Sequence, residues 1–281
     1  KVVFVIIGTV IGAGFASGQE IYTFFYSYGI NGLIGLIICS IFLSIIIYKV
    51  LKILTENKNI ENYKEFLDTI INRKAKNPYL NIKYILNTII NIFLLISFYI
   101  MIAGFGAYFS QELQLNSLIG CSAISLLSFI IFMTSVKGVV KVNEVLTPIL
   151  IIFVVTIGVI NFLKLDLESA ITSIVAVKNH GWFISSILYC SYNSILLIPV
   201  LITLSKLVKN KKQTKLISII SGLIILIISI CIFFIITRVD VNIANLEMPV
   251  VYGISKFFVR LKNIYGFIIL SSIFTTSIAI G

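Results

Sequence analysis

Long apolar stretches separated by short polar segments make up most of this chain. A helix needs about 20 mainly apolar residues to cross a bilayer, and eight stretches of the sequence are of that kind. Because backbone polar groups inside lipid must be hydrogen-bonded within the protein, each stretch is predicted to be a helix. The predicted spans are Val2–Tyr28, Ile30–Leu54, Lys83–Leu113, Leu118–Val136, Val145–Leu163, Trp182–Leu204, Leu216–Ile236 and Ile264–Gly281.

Two of the connections between spans are predicted to contain helices of their own. Residues Tyr63–Asn72 have an amphipathic pattern within the connection between the second and third spans. Pro249–Leu261 alternates apolar and basic residues before the last span. That pattern is typical of a short surface or re-entrant helix.

The composition excludes a soluble domain and indicates a lipid bilayer as the environment. Hydrophobic residues make up 59% and charged residues 12% of the 281 positions, whereas soluble domains have about 45–50% and 25%. A net charge of +11 would favour nucleic acid in a soluble protein, but in membrane proteins basic residues collect in cytoplasmic loops. With a cytoplasmic N-terminus, sixteen of the 22 Lys and Arg residues fall on the inner side. We therefore expect a multi-pass protein of the inner (plasma) membrane without a nucleic-acid partner.

Residues that usually carry metal or covalent chemistry are few. The four cysteines lie in apolar runs without a CxxC pair, and the one histidine, His180, stands at the edge of a predicted span. No nucleophile and base share a plausible depth in the membrane. We therefore expect no enzyme activity, no cofactor and no transition-metal site.

The first span contains four glycines in eleven residues, at positions 8, 12, 14 and 18. Each costs about 0.5–1 kcal/mol relative to alanine in a helix interior. One interpretation is close packing of helices through small residues. The other is an unwound joint at Gly12–Gly14, which frees carbonyl and amide groups to bind an ion and a substrate.

The sixth span contains a second interruption of the apolar pattern. Tyr189–Ser194 is a polar patch and Pro199 follows it, which is reasonable in lipid only where the patch lines a cavity. Interrupted spans in corresponding positions of two halves indicate an inverted-repeat transporter. We therefore predict breaks in helices one and six, a first repeat over residues 1–164 and an incomplete second repeat over 181–281.

The last span carries a group of hydroxyl side chains, Ser272, Thr275 and Thr276 among them. Serine and threonine in helices commonly bond to their own backbone. The alternative is a ring of oxygen ligands, because hydroxyl and carbonyl oxygens suit a hard monovalent ion.

These motifs together resemble a LeuT-fold transporter of the broad amino acid–polyamine–organocation group. The segment Gly8–Gly14 matches the G-x-x-V/I-G-x-G pattern of the broken first helix, and Phe274–Ala279 matches the L-T-S-S-I-A-like eighth helix. The run GTVIGAGFASGQEI further resembles an uncharacterised bacterial branch of this fold. The resemblance implies an all-α integral membrane protein with one transmembrane domain over 1–281. It also implies that eight of ten core helices are present, with truncation after the eighth.

The resemblance implies a sodium site between helices one and eight. Its ligands would be the carbonyls of Gly8, Ile11 and Ser272 and the hydroxyls of Thr275 and Thr276. Some proton-coupled relatives place a lysine there from helix five, and the fifth span has no mid-membrane lysine. Sodium is therefore favoured as the coupling ion.

The resemblance also implies a substrate site at the two joints. Glu20, an acid within the first span, is a candidate for gating or coupling, although it could instead pair with a basic residue of another helix. Tyr99 and Tyr108 are alternatives for a contact from the third span. The other expected substrate contacts are Gly12, Ala13, Gly14, Phe15, Tyr189, Ser191, Tyr192 and Asn193.

The expected function is sodium-coupled symport of an amino acid or a similar small zwitterion by alternating access. Two alternatives stay open at this point. The same fold could form a non-transporting receptor, as in germinant-sensing subunits of spores, or a proton-coupled amino acid permease.

Overall fold

The computed structural model describes residues 1–72, 80–134, 137–163, 174, 180–237, 239 and 242–280. Within these ranges the secondary structure is helical and contains no strand, so the predicted all-α class is confirmed. The helices are α1 (Val2–Val10), α2 (Ala13–Ser17), α3 (Gln19–Phe24), α4 (Ile30–Glu56), α5 (Tyr63–Asn72), α6 (Leu80–Leu113), α7 (Ser117–Thr134), α8 (Lys137–Leu163), α9 (Trp182–Ser205), α10 (Lys211–Ile236), α11 (Pro249–Phe257) and α12 (Val259–Ile280).

Six of these helices are long and apolar enough to cross a membrane: α4, α6, α8, α9, α10 and α12. They correspond to six of the eight predicted spans. The fourth predicted span forms α7, whose apolar part, Ser117–Ile131, is shorter. The first predicted span is divided among α1, α2, α3 and a 3-10 turn.

The first segment is interrupted twice. Helix α1 ends at Val10 and α2 begins at Ala13, so one break lies at Ile11–Gly12, beside the predicted joint. The second break, at Gly18, was not predicted; its φ of 88° lies in the left-handed region, which favours glycine. An added Cβ at Gly18 would also lie 2.5 Å from Cγ2 of Val250.

The predicted break in helix six is wrong, because α9 runs without interruption from Trp182 to Ser205. Three polar side chains of its patch, those of the two serines and the asparagine, bond to carbonyls one turn earlier in the same helix. Ser191 Oγ donates to the Ile187 carbonyl at 2.7 Å, and Asn193 Nδ2 donates to the Tyr189 carbonyl at 3.0 Å. These side chains satisfy their own polar groups, so the patch needs no unwound backbone in lipid.

Helix α1 lies at the centre of the bundle and contacts α8, α9, α10 and α12. Helix α4 packs against α9 and α10, while α6 packs against α7 and α12. Apolar side chains on the outer faces of the long helices are half exposed or more, including Ile41, Phe129 and Ile152. Since such faces are stable in contact with lipid tails, the helices fit a bilayer environment.

The two helices predicted in the connections are both present. Helix α5 has the predicted bounds, Tyr63–Asn72. The backbone amide of Glu61 and the side chain of Asn62 bond to the Glu65 carboxylate at its start, which lowers the pKa of that carboxyl. The Pro249–Leu261 pattern forms α11, which ends at Phe257, and then the start of α12.

The division into two repeats stays a prediction. Most of the connection between the predicted repeats, 164–173 and 175–179, lies outside the described residues.

Candidate functional site

The break in the first segment leaves carbonyl groups of α1 available to α12. A continuous helix would direct the Gly12 amide to the Gly8 carbonyl, but here that amide donates to Val10 O at 2.9 Å. Instead, Thr276 Oγ1 donates to Gly8 O at 3.2 Å and Ser272 Oγ donates to Ile11 O at 2.8 Å. The two carbonyls therefore depend on a distant helix for their hydrogen bonds.

The five residues expected to bind an ion lie together at this crossing of α1 and α12. Thr275 completes the group, because its Oγ1 donates to Ser272 O at 3.0 Å. The side chains of Ser272, Thr275 and Thr276 are all buried. The crossing thus gathers carbonyl and hydroxyl oxygens with no charged side chain among the five.

A cavity of about 10 Å³ lies beside these oxygens, about enough for one water-sized particle. Gly8, Ile11 and Ser272 line it, while Thr275 and Thr276 do not. Its remaining wall comes from α8 and from the turn of α12 before Ser272, with the lining residues Leu146, Thr147, Leu150 and Ile268.

Thr147 is a polar residue of this site that the sequence reasoning missed. A signal for it was present, since Pro148 follows it directly. Proline inside a helix removes one backbone hydrogen bond, so a polar residue beside a mid-helix proline in an apolar span is worth examining. Helix α8 is continuous through Pro148.

A larger cavity of about 400 Å³ lies between the first segment, α6 and α9. This volume falls within the range of about 300–1,000 Å³ typical of small-molecule sites. The lining residues are Thr9, Val10, Gly12, Gly14, Gln19, Glu20, Thr23, Phe24, Phe93, Ile96, Ser97, Ile100, Met101, Tyr192, Asn193 and Leu196.

Helix α6 passes very close to the break. The Ala13 amide donates to the Met101 sulfur at 3.4 Å, a weak acceptor for a backbone donor. A Cβ added at Gly104 would lie 2.7 Å from the Ala13 side chain. Gly104 therefore permits the close approach of α6 to the first segment.

Glu20 lies in the wall of this cavity and folds back over the break. A Cβ added at Gly14 would lie 2.6 Å from Glu20 Cγ, so the acid occupies space that only a glycine leaves open. Oε2 of Glu20 is inaccessible to solvent and makes no hydrogen bond among the described residues. The hydroxyls of Tyr189 and Tyr192 lie beside the carboxyl group and are hydrogen-bond donors that face it, although no hydrogen bond to Oε2 forms in this arrangement.

Aromatic packing holds these tyrosines in place. The ring centroids of Tyr189 and Tyr192 are 5.2 Å apart, and Phe24 lies 5.3 Å from the first and 5.8 Å from the second. Phe24 is the last residue of α3, whereas the two tyrosines belong to α9. These three rings therefore pack the first segment against α9 near the carboxyl group of Glu20.

Comparison with known proteins adds two relatives, while no protein-family model matches the chain. The chain is 28% identical over 284 residues to the uncharacterized membrane protein YkvI of Bacillus subtilis strain 168, covering 99% of this chain and 77% of YkvI. It is 26% identical over 258 residues to the uncharacterized protein YyaD of the same organism, covering 89% of this chain and 69% of YyaD. The first relative is named as a membrane protein, and this chain has six helices that are long and apolar enough to cross a membrane. Both observations support a multi-pass membrane protein.

The structure brings several of the expected substrate residues to the large cavity. Gly12, Gly14, Tyr192 and Asn193 line it together with Glu20. Their role in binding a substrate stays a prediction, but their placement around one cavity agrees with it.

Other expected substrate residues lie elsewhere. Phe15 and Tyr189 are buried but do not line the cavity, while Ser191 is exposed and Tyr99 is 60% exposed on the outer face of α6. Tyr108 is buried with its hydroxyl against Gly266 of α12. Neither third-span tyrosine, therefore, lines the cavity.

Hydrogen bonds of two glutamine side chains join the first segment and α6 to the residues just before α11. Gln19, a cavity residue, donates through Nε2 to Leu246 O at 3.0 Å. Gln111 Oε1 accepts from the amides of Glu247 and Met248 at 2.8 and 2.9 Å. The segment before α11 is thus bonded to both α3 and the end of α6.

Proposed function

We propose that this protein is a secondary active transporter, a sodium-coupled symporter of an amino acid or a similar small zwitterion that works by alternating access. The observation that carries the proposal is the break at Ile11–Gly12. On one side its carbonyls meet the hydroxyls of α12, and on the other side it borders the 400 Å³ cavity.

The oxygens at the α1–α12 crossing suit a monovalent cation. Sodium prefers oxygen ligands. Neutral carbonyl and hydroxyl oxygens can replace the water molecules around a cation that carries a single charge. Ser272 and Thr276 donate to carbonyls here, yet each hydroxyl also carries lone pairs that can turn toward an ion.

Coupling follows from the shared first segment. An ion bound by Gly8, Ile11 and α12 would fix the position of α1, and the residues that follow directly, Gly12 and Gly14, line the substrate cavity. Each ligand then favours the arrangement that the other needs, which is the thermodynamic requirement for coupled binding.

Uptake into proteoliposomes tests the proposal. Protein containing the whole chain is reconstituted, and uptake of a mixture of radiolabelled amino acids is measured with and without an inward sodium gradient. We expect accumulation only with the gradient. Uptake that persists after the sodium gradient is collapsed would contradict sodium coupling, and binding without uptake would favour the receptor.

A matched pair of threonine variants tests the ion site. Thr276→Val removes a hydroxyl at the crossing, so we expect the sodium concentration for half-maximal uptake to rise about tenfold or more. Thr203→Val makes the same change at an exposed position of α9, where the hydroxyl donates to Pro199 O of its own helix. That variant should behave as the wild type. Equal sodium dependence of the two variants would remove Thr276 from the ligands.

A proton-coupled permease is the second candidate, and Glu20 is the observation that favours it. An acid in the cavity wall can exchange a proton during transport. A proton gradient imposed without sodium separates the candidates, since only the permease would accumulate substrate under that condition.

A further inference from the structure

The wall of the large cavity is mainly apolar. Side chains from the first segment, α6 and α9 form this surface: Val10, Phe24, Phe93, Ile96, Ile100, Met101 and Leu196. Burying apolar area against such a wall contributes roughly 25 cal/mol per Å². A ligand with an apolar body therefore gains more here than a polar one of equal size.

Glu20 is the single charged residue among the described residues that line this cavity. Its polar neighbours in the wall are neutral, namely Thr9, Gln19, Thr23, Ser97, Tyr192 and Asn193. No ion pair joins Glu20 to a lysine or arginine within the described ranges. A carboxylate in such surroundings is costly unless a cation or a proton neutralises it.

Buried polar atoms without hydrogen bonds lie around Glu20, and they indicate which hydrogen-bonding groups a bound cation should carry. Oε2 of Glu20 makes no hydrogen bond, and the hydroxyls of Tyr189 and Tyr192 beside it are also buried without hydrogen bonds in the described structure. An ammonium group brings one positive charge and up to three donors. It can bond to the carboxylate and to the oxygen of Tyr192, which also lines the cavity, at once, and such charge-assisted hydrogen bonds are the stronger kind.

We propose that Glu20 binds the ammonium group of the substrate, and that the cavity selects solutes that combine an ammonium group with an apolar body. The inference rests on the proposed function, because it takes this cavity as the substrate site. It narrows the substrate class to apolar amino acids and the corresponding amines. The volume of about 400 Å³ is near the small end of ligand pockets, which favours a body the size of one amino acid.

Three compounds of nearly equal shape test the selectivity. Leucine has an ammonium and a carboxylate, 3-methylbutylamine lacks the carboxylate, and 4-methylpentanoate lacks the ammonium. Thermal shifts of the purified protein in detergent, with sodium present, report binding without requiring transport. We expect leucine and the amine to raise the melting temperature, and 4-methylpentanoate to leave it unchanged. A shift with the acid equal to that with leucine, or no shift with either ammonium compound, overturns the proposal.

Variants of Glu20 test the residue. Glu20→Gln keeps the shape and removes the charge, so we expect the affinity for leucine and the amine to fall about tenfold or more. Glu20→Asp keeps the charge and should retain part of the affinity. The control is Glu247→Gln, the same change at an exposed acid, which should leave binding as in the wild type. Melting temperatures without ligand show whether each variant is folded. Unchanged binding in a folded Glu20→Gln protein overturns the proposal.

The two proposals fail in different ways. Sodium-driven uptake of leucine that is unaffected by Glu20→Gln would retain the transporter and reject the ammonium site. Loss of binding in Glu20→Gln, together with an absence of sodium-driven flux in the wild type, would retain the ammonium site and reject the symporter.

Discussion

The first segment and α9 both interrupt an apolar pattern with small and polar residues, yet only the first segment breaks. In the first segment the interrupting residues are mainly glycines, whereas in α9 they are serine, asparagine and tyrosine. The difference lies in hydrogen bonding. Glycine has no side chain to bond with and costs helix stability, while Ser194 Oγ donates to the Cys190 carbonyl of its own helix at 2.6 Å.

This comparison separates two kinds of polar patch in a membrane helix. A glycine-rich patch loses helix stability, and its backbone finds partners on other elements, as Gly8 and Ile11 do on α12. A patch of serine and asparagine satisfies itself. Polarity alone therefore does not predict a broken helix in lipid, because the serines and the asparagine of α9 bond to their own helix and α9 stays continuous.

Hydrogen exchange should show the largest contrast between the two regions. The amides of Ala13, Gly14 and Phe15 begin a short helix and have no partner within it, whereas those of Ser191–Ser194 lie inside α9. We expect exchange at the first set to be about a hundredfold faster in detergent, measured by mass spectrometry with overlapping peptides. Equal protection of the two sets would mean that the first segment is helical through Gly12.

Gly14→Ala distinguishes helix propensity from packing. Propensity alone predicts a gain of about 0.5–1 kcal/mol, but the new Cβ would lie 2.6 Å from Glu20 Cγ. We expect a net loss of about 1–3 kcal/mol, read as a lower melting temperature. Ser191→Ala in α9 should stay within about 0.5 kcal/mol of the wild type. A more stable Gly14→Ala protein would show that Glu20 does not occupy this position.

Tyr265→Phe tests a bond that supports only the broken segment. The Tyr265 hydroxyl donates to Ala16 O at 2.7 Å, and both residues are fully buried. Its removal should cost about 0.5–1.5 kcal/mol and should speed hydrogen exchange in α2 without changing exchange in α9. Faster exchange in both regions would indicate general destabilisation instead.

Asn193→Leu should have the smallest effect on the backbone. The Tyr189 carbonyl that accepts from Asn193 Nδ2 lies in a continuous helix, so it retains its backbone partner. We expect α9 to stay protected from exchange and the melting temperature to change little. Rapid exchange across Tyr189–Ser194 in this variant would show that the side chain itself maintains the helix.

Features set by local pattern could be predicted from the sequence. The bounds of α5 follow from its amphipathic repeat, and the first break follows from the glycines near Gly12. The break predicted in α9 failed because the pattern shows which residues are polar but not where their hydrogen bonds go. Contacts between distant segments, such as Gln111 with the amide of Met248, leave no signal in either segment alone.

In the candidate site, too, some residues could be predicted from sequence motifs and others depend on contacts between distant segments. The five ion-binding positions were implied by a family resemblance that rests on motifs in two segments, and the structure places these positions together at the α1–α12 crossing. Thr147 and Met101 were missed, because an isolated threonine or methionine in an apolar span resembles ordinary packing. Their importance arises only from the helices that the fold brings beside them.

The contact between Gly14 and Glu20 has a consequence for how this sequence can vary. Since the acid fills the space that a side chain at position 14 would need, the two positions are not free to change independently. Among relatives of this protein, a residue larger than glycine at position 14 should occur with a shorter side chain at position 20. Correlated replacement at these two positions, six residues apart, is therefore the pattern that an alignment of relatives should show if the Glu20 side chain lies against Gly14.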